Sequence, residues 1–85
     1  MDLYEIMYLL TKLKEMTDSA FLAFQDFEAQ FIANQQDDFL YPIHIGMLIL
    51  NSQQNDLIKL INDLDRCILE LRKQGYLKEE TESDN

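Results

Sequence analysis

Two apolar seams of equal length constrain the fold of this chain more than any other feature. The first advances in alternating steps of three and four residues and comprises Leu3, Ile6, Leu10, Leu13, Thr17, Ala20, Phe24, Phe27 and Phe31. The second has the same spacing and comprises Ile43, Met47, Leu50, Gln54, Leu57, Ile61, Leu64, Ile68 and Leu71. Such spacing is a heptad pattern and predicts two amphipathic α-helices.

The two seams also share one register. If the chain reverses between them, Phe31 faces Ile43, Leu3 faces Leu71, and every layer in between matches one seam residue with another. Unrelated helices would need neither equal lengths nor matching phase. The pattern therefore predicts an all-α fold, an antiparallel coiled-coil-like hairpin with helices at about 3–34 and 42–74.

Boundary residues agree with these limits. Asp2 followed by Glu5 resembles a capping box, and Pro42 suits the first turn of a helix. Gly75 is expected to take the left-handed conformation that closes a helix, with a C-cap over 75–77. These residues complete a predicted helical domain at 1–77.

A turn at about 35–41 joins the predicted helices, and Tyr41 within it is expected to be extended because it precedes a proline. Residues 78–85, KEETESDN, are expected to form a disordered acidic tail. Two competing arrangements stay open: a single long helix with a bend, and a short strand at 39–45, which Pro42 opposes.

The predicted hairpin is thin, and its apolar stripes are wider than one seam. A chain of 85 residues with a single cysteine cannot supplement a small core with an internal disulfide. We therefore expect a homodimeric four-helix bundle, or a hairpin that receives a helix from a partner. The residues expected at an oligomer interface are Met7, Leu9, Met16, Ile58, Leu60 and Cys67.

One layer of the seams, formed by Ala20 and Gln54 with Thr17 beside it, is more polar than the others. A buried amide in such a seam can fix the register or the oligomeric state. A bend in the rod, or the entry point of a ligand helix, are the alternatives.

The net charge of −9 disfavours direct binding to nucleic acid or to an anionic membrane, since both would repel the chain. A basic partner protein is compatible with it, although the charge could serve solubility alone. The single unpaired thiol favours a reducing compartment, so we expect a cytoplasmic protein.

Little in the sequence favours an enzyme. His44 and Cys67 are the sole residues of their types, and a separation of about 35 Å along one helix prevents a joint site within one chain. Neither a phosphate-binding glycine loop nor a bundle metal motif is present. We expect no catalytic residue, no cofactor and no metal ion.

The half of the hairpin around the turn is both acidic and aromatic. It lacks Lys and Arg from Glu15 to Leu57, whereas cations gather toward the other end: Lys12, Lys14, Lys59, Arg66, Arg72 and Lys73. An aromatic cluster with an acidic rim suits a basic, apolar target. The residues expected to bind a partner are Phe21, Asp26, Glu28, Asp37, Asp38, Phe39 and Tyr41.

Two functions are compatible with these features. The first is a non-enzymatic interaction module, an adaptor, chaperone or inhibitor that binds a partner protein through an apolar helical groove and the acidic, aromatic turn end. The alternative is a nucleic-acid mimic, such as a phage or mobile-element inhibitor of a restriction or CRISPR nuclease. The Lys- and Arg-free segment and the small size favour this second function.

Overall fold

The computed structural model describes residues 1–77, which form two long helices joined by a short connection. Helix α1 spans Leu3–Ala33 and helix α2 spans Leu40–Lys73, with a single 3-10 turn at Asp37–Phe39 between them. The two helices reverse direction and pack against each other along their length. The predicted all-α, two-helix fold is confirmed, and the predicted tail at 78–85 lies outside the described residues.

The hairpin is a rod measuring 60 × 22 × 16 Å. Its thinnest dimension is too small for two stacked helices, so the two helices form a single layer. We call the end with the connection the turn end, and the end where α1 begins and α2 finishes the open end. In the residues described, neither helix has an apolar stretch long enough for a membrane crossing.

Both helices end in the same hydrogen-bonded motif. At the end of α2, Tyr76 N–H donates to Leu71 O over 2.9 Å and Gly75 has the predicted left-handed φ of 81°. At the end of α1, Gln36 N–H donates to Phe31 O over 2.8 Å, and Gln35 takes the left-handed position with φ 56°. These are Schellman motifs, in which glycine is the usual residue at the left-handed position. Gln35 is therefore a non-glycine residue in a conformation that glycine favours.

The start of α1 follows the predicted cap, because the Asp2 carboxylate accepts a hydrogen bond of 2.8 Å from Glu5 N–H. The start of α2 differs from the prediction. This helix begins at Leu40, so Tyr41 is helical and not extended, and no strand forms at 39–45. Pro42 is tolerated in the first turn because the first N–H groups of a helix have no intrahelical acceptor. The preference of the residue before a proline for extended geometry is thus overridden.

The structure buries the predicted seam of α2 throughout but only part of the predicted seam of α1. Every seam residue of α2 is at least half-buried. On α1, by contrast, Leu13 and Phe27 are exposed, whereas Met7, Phe21 and Glu28 on the adjacent side are half-buried. Helix α1 is therefore rotated about its axis, so that one neighbouring stripe replaces part of the predicted seam.

Burial in this single layer is shallow. Among residues 1–77, Ile68 is the one apolar residue that is fully buried and Thr17 is the one polar residue, each 5% exposed. The Thr17 hydroxyl donates to Leu13 O over 2.9 Å, so its burial leaves no unpaired donor. A hairpin with so little interior leaves most of its large apolar side chains at the surface.

Candidate partner-binding surface

The turn end carries a row of aromatic side chains contributed by all three elements. Phe31 at the end of α1 packs against Phe27, with ring centroids 6.0 Å apart, and against Phe39 of the 3-10 turn, 5.4 Å apart. Phe31 is half-buried, but Phe39 is 53% exposed and Tyr41 is 75% exposed. Aromatic rings with an apolar face open to solvent are typical anchors of protein interfaces.

Exposed carboxylates accompany this aromatic row in the turn half of the rod. The 3-10 turn presents Asp37 and Asp38, and Asp26 lies on α1; all three are exposed. Since the sequence has no Lys or Arg from Glu15 to Leu57, no cation of the turn half neutralises them. The surface is therefore negative as well as aromatic.

Glu28, the fourth predicted carboxylate, has a partner within the hairpin. Its Oε2 lies 2.6 Å from Nε2 of His44 on α2, a contact that bridges the two helices. The predicted register does not reveal this pair, because Glu28 and His44 follow seam residues of neighbouring layers: Phe27 faces Met47, and Ile43 faces Phe31. Glu28 therefore helps to join the helices in addition to contributing negative charge.

Phe21 borders a separate apolar cleft next to the Glu28–His44 contact. The cleft has a volume of about 460 Å³ and is lined by Phe21, His44, Met47, Leu48 and Asn51. Leu48 is exposed and Phe21 is half-buried, so the floor of the cleft is apolar and its mouth is open. The structure thus separates Phe21 from the row that contains Phe39, and the seven predicted binding residues form two neighbouring surfaces.

The middle of the rod is joined by a polar contact. Gln54 Nε2 of α2 donates to Asp18 Oδ1 of α1 over 2.8 Å, and Lys14 Nζ donates to Asp18 Oδ2 over 2.8 Å. The hydrogen bond from Lys14, then that from Gln54, lowers the pKa of Asp18 below its ordinary value. The predicted polar layer is therefore a contact between Gln54 and Asp18, and Ala20 has no part in it.

The residues predicted at an oligomer interface lie mostly in the open half of the rod. Met7 is half-buried and lines a shallow groove, with Tyr4, Tyr8 and Ile68 among its neighbours. The others are all exposed: Leu9, Met16, Ile58, Leu60 and Cys67. They lie on both flanks of the hairpin, so one flat contact surface cannot include them all.

Residues 1–77 contain no group of three or more His, Cys, Asp or Glu side chains placed to hold a metal ion. His44 and Cys67 lie near opposite ends of α2.

No protein-family model matches the sequence, and comparisons with curated proteins and with solved structures give no significant match. The two surfaces at the turn end and the exposed flanks are therefore the features from which a function can be inferred.

Proposed function

We propose that this chain is a non-enzymatic interaction module, an adaptor, chaperone or inhibitor that binds another protein through the turn half of its hairpin. One observation carries the proposal. Exposed aromatic side chains and exposed carboxylates share the turn end, in a half of the chain without Lys or Arg. A rod that needed only solubility would not require Phe39 and Tyr41 at its surface.

The partner that we propose follows from the chemistry of this surface. Exposed rings gain from contact with apolar side chains, while the bordering carboxylates favour a basic rim on the partner. The apolar cleft beside Phe21 fits one or two large side chains projecting from a helix. The partner we propose is a protein with a basic, amphipathic helical surface.

We further propose that the hairpin self-associates as a homodimer, forming a four-helix bundle. A single layer of two helices buries only Ile68 fully among its described apolar residues, and small domains with such thin cores are commonly stabilised by self-association. The dimer would cover exposed apolar flanks and leave the turn ends for the partner. The mass in solution, measured by light scattering over a concentration series, tests it.

Capture of partners from cells of the native host tests the binding function. We expect a chain with Phe21, Phe39 and Tyr41 all replaced by alanine to lose the proteins captured by the wild type. The matched control replaces Tyr8 and Tyr76, exposed aromatic residues of the open half, which should leave capture unchanged. Equal losses in both variants would contradict binding at the turn half.

Nucleic-acid mimicry is the second candidate, favoured by the exposed Asp26, Asp37 and Asp38 in a segment free of Lys and Arg. A mimic should lose affinity for its partner steeply as salt rises, whereas an apolar groove binder should respond weakly. Replacing Asp26, Glu28, Asp37 and Asp38 with their amides would weaken a mimic more than the triple alanine variant does. The reverse ranking favours the interaction module.

A further inference from the structure

The rotation of α1 leaves a second apolar stripe uncovered, which we call the outer stripe. It advances in steps of four and three residues and comprises Leu9, Leu13, Met16, Ala20, Ala23 and Phe27. Its four large side chains are 45–68% exposed, because α2 packs against the adjacent face of α1. An apolar stripe of this regularity along a helix is the pattern of a helix-packing surface.

The order of residues in the outer stripe favours one particular pairing. The spacing reads the same in both directions, so a twofold axis at residue 18 matches Leu9 with Phe27, Leu13 with Ala23 and Met16 with Ala20 of a second copy. The two inner layers then pair a large side chain with a small one, as close packing requires. Parallel pairing would instead place Leu13 on Leu13 and Ala23 on Ala23.

Helix α2 repeats this spacing in Gly46, Leu50, Gln53, Leu57, Leu60 and Leu64; Gln53 and Leu60 are exposed, and the other four are half-buried. Its spacing is also symmetric, about residue 55, and it would match Leu60 with Leu50, Gly46 with Leu64 and Gln53 with Leu57 of the second copy. The two centres lie at one level of the rod, where Asp18 and Gln54 share their hydrogen bond. A single twofold axis therefore passes through the centres of both spacings.

The charge distribution favours the same orientation. Residues 15–57 contain seven carboxylates and no Lys or Arg, whereas 1–14 together with 58–77 contain six cations and five carboxylates. An antiparallel pair sets each acidic turn half beside a nearly neutral open half, while a parallel pair would set two acidic halves together. At the edge of the outer stripe, this pairing would place Lys12 of one copy within about 3 Å, along the rod, of the level of Asp26 of the other.

We propose that two copies pair antiparallel along the outer stripe, with the twofold axis at the level of Asp18 and Gln54. This inference rests on the proposed self-association and adds its surface and its orientation. It also leaves Phe39 and Tyr41 uncovered at each end of the dimer, whereas Asp26 and Phe27 of the turn half become part of the contact between copies. The dimer would therefore hold two partners far apart.

Disulfide trapping with oxidised glutathione tests the orientation. Lys12→Cys and Asp26→Cys are each made with Cys67→Ser. We expect neither variant alone to form a covalent dimer, because like positions lie about 20 Å apart along an antiparallel pair. An equimolar mixture should give mostly the mixed 12–26 dimer. Covalent homodimers of either variant would overturn the antiparallel arrangement.

Native Cys67 is an internal control in the otherwise unchanged chain. The antiparallel pair separates the two Cys67 thiols by about 35 Å, whereas a parallel pair brings them to the same level. We expect no disulfide dimer under the same oxidation. A rapid Cys67 disulfide in a chain that is already a noncovalent dimer would overturn the inference.

Charge exchange adds a second readout. We expect Lys12→Glu to weaken the dimer roughly tenfold, since it opposes Asp26 twice in each dimer, and the added Asp26→Lys to restore most of the affinity. Lys59→Glu, outside the proposed pair, is the matched control. A chain that dimerises but gives neither the mixed 12–26 disulfide nor the restored affinity overturns the antiparallel pairing and leaves self-association standing. A chain that is monomeric at all concentrations overturns both the pairing and the self-association.

Discussion

Gln54 of α2 donates a hydrogen bond of 2.8 Å to Asp18 of α1, at the middle of a hairpin whose helices are also joined by the contact between Glu28 and His44. Asp18 accepts a second hydrogen bond from Lys14 one turn earlier on its own helix. Both donors favour the charged carboxylate, and this is why the pKa of Asp18 is lowered in the folded chain. Because protonation of Asp18 weakens its contact with Gln54, the stability that this interhelical contact provides depends on pH.

Asp18 should make the hairpin sensitive to acid. Because its folded pKa lies below its unfolded pKa, its contribution to stability is present above the ordinary value of 3.8 and is lost as the pH falls through the lowered pKa. Asp18→Asn should therefore lose less stability than the wild type between about pH 5 and about pH 2. Urea denaturation at several pH values measures this. Asp56→Asn, at an exposed site, is the control and should lose as much as the wild type.

Gln35 should be a site where a single change stabilises the hairpin. Gln35→Gly removes the cost of a side chain at φ 56° and should raise the free energy of unfolding by about 1 kcal/mol. Gly75→Ala makes the opposite change at the end of α2, where φ is 81°, and should lower it by about 1 kcal/mol. Gln36→Gly, at a negative φ, separates this effect from general loop flexibility and should not stabilise. Chemical denaturation followed by circular dichroism compares the three.

Gly46 and Phe24 should be coupled across the helices. A Cβ atom at Gly46 would lie 3.0 Å from Cε2 of Phe24, so the ring must shift to admit it. Gly46→Ala gains about 1 kcal/mol of helix propensity, which this displacement should largely cancel. With Phe24→Leu already present, the same substitution should stabilise by about 1 kcal/mol. Additive effects in this double-mutant cycle would contradict the close approach.

Ile68 should contribute more to stability than any exposed neighbour. Ile68→Ala deletes a side chain that is 5% exposed and should lower the free energy of unfolding by about 2 kcal/mol or more. Leu69→Ala, on the solvent side of the same helix, should cost less than about 1 kcal/mol. Thermal denaturation of both variants tests whether the shallow interface at the open end supports the fold.

Several parts of the fold could be predicted from the sequence because they depend on local geometry. The Asp2 cap, the left-handed Gly75 and the two helices follow from residue type and spacing within a few positions of the chain. The start of α2 was harder to predict from the sequence. Tyr41 is helical because the 3-10 turn before it continues directly into helical geometry at Leu40.

Only part of the proposed partner-binding surface could be predicted from the sequence. The sequence located Phe39, Tyr41, Asp37 and Asp38 near the connection, since a reversal of the chain places them there. It did not reveal that Glu28 contacts His44, or that Phe21 borders a cleft apart from the aromatic row. Those facts depend on the rotation of α1 about its axis, which a spacing pattern does not define.

The sequence by itself determined two amphipathic helices of matched length and phase, because apolar periodicity reports which positions avoid water; it favoured their reversal over a single bent helix without deciding between the two. Tertiary structure decided which face of α1 meets α2. Met7 and Phe21 lie on one side of the shared positions and Leu13 and Phe27 on the other, and both stripes are apolar. Burial of apolar surface is nondirectional and does not choose between them. The contacts of Asp18 with Gln54 and of Glu28 with His44 are directional, and they accompany the rotation that leaves Leu13 and Phe27 exposed.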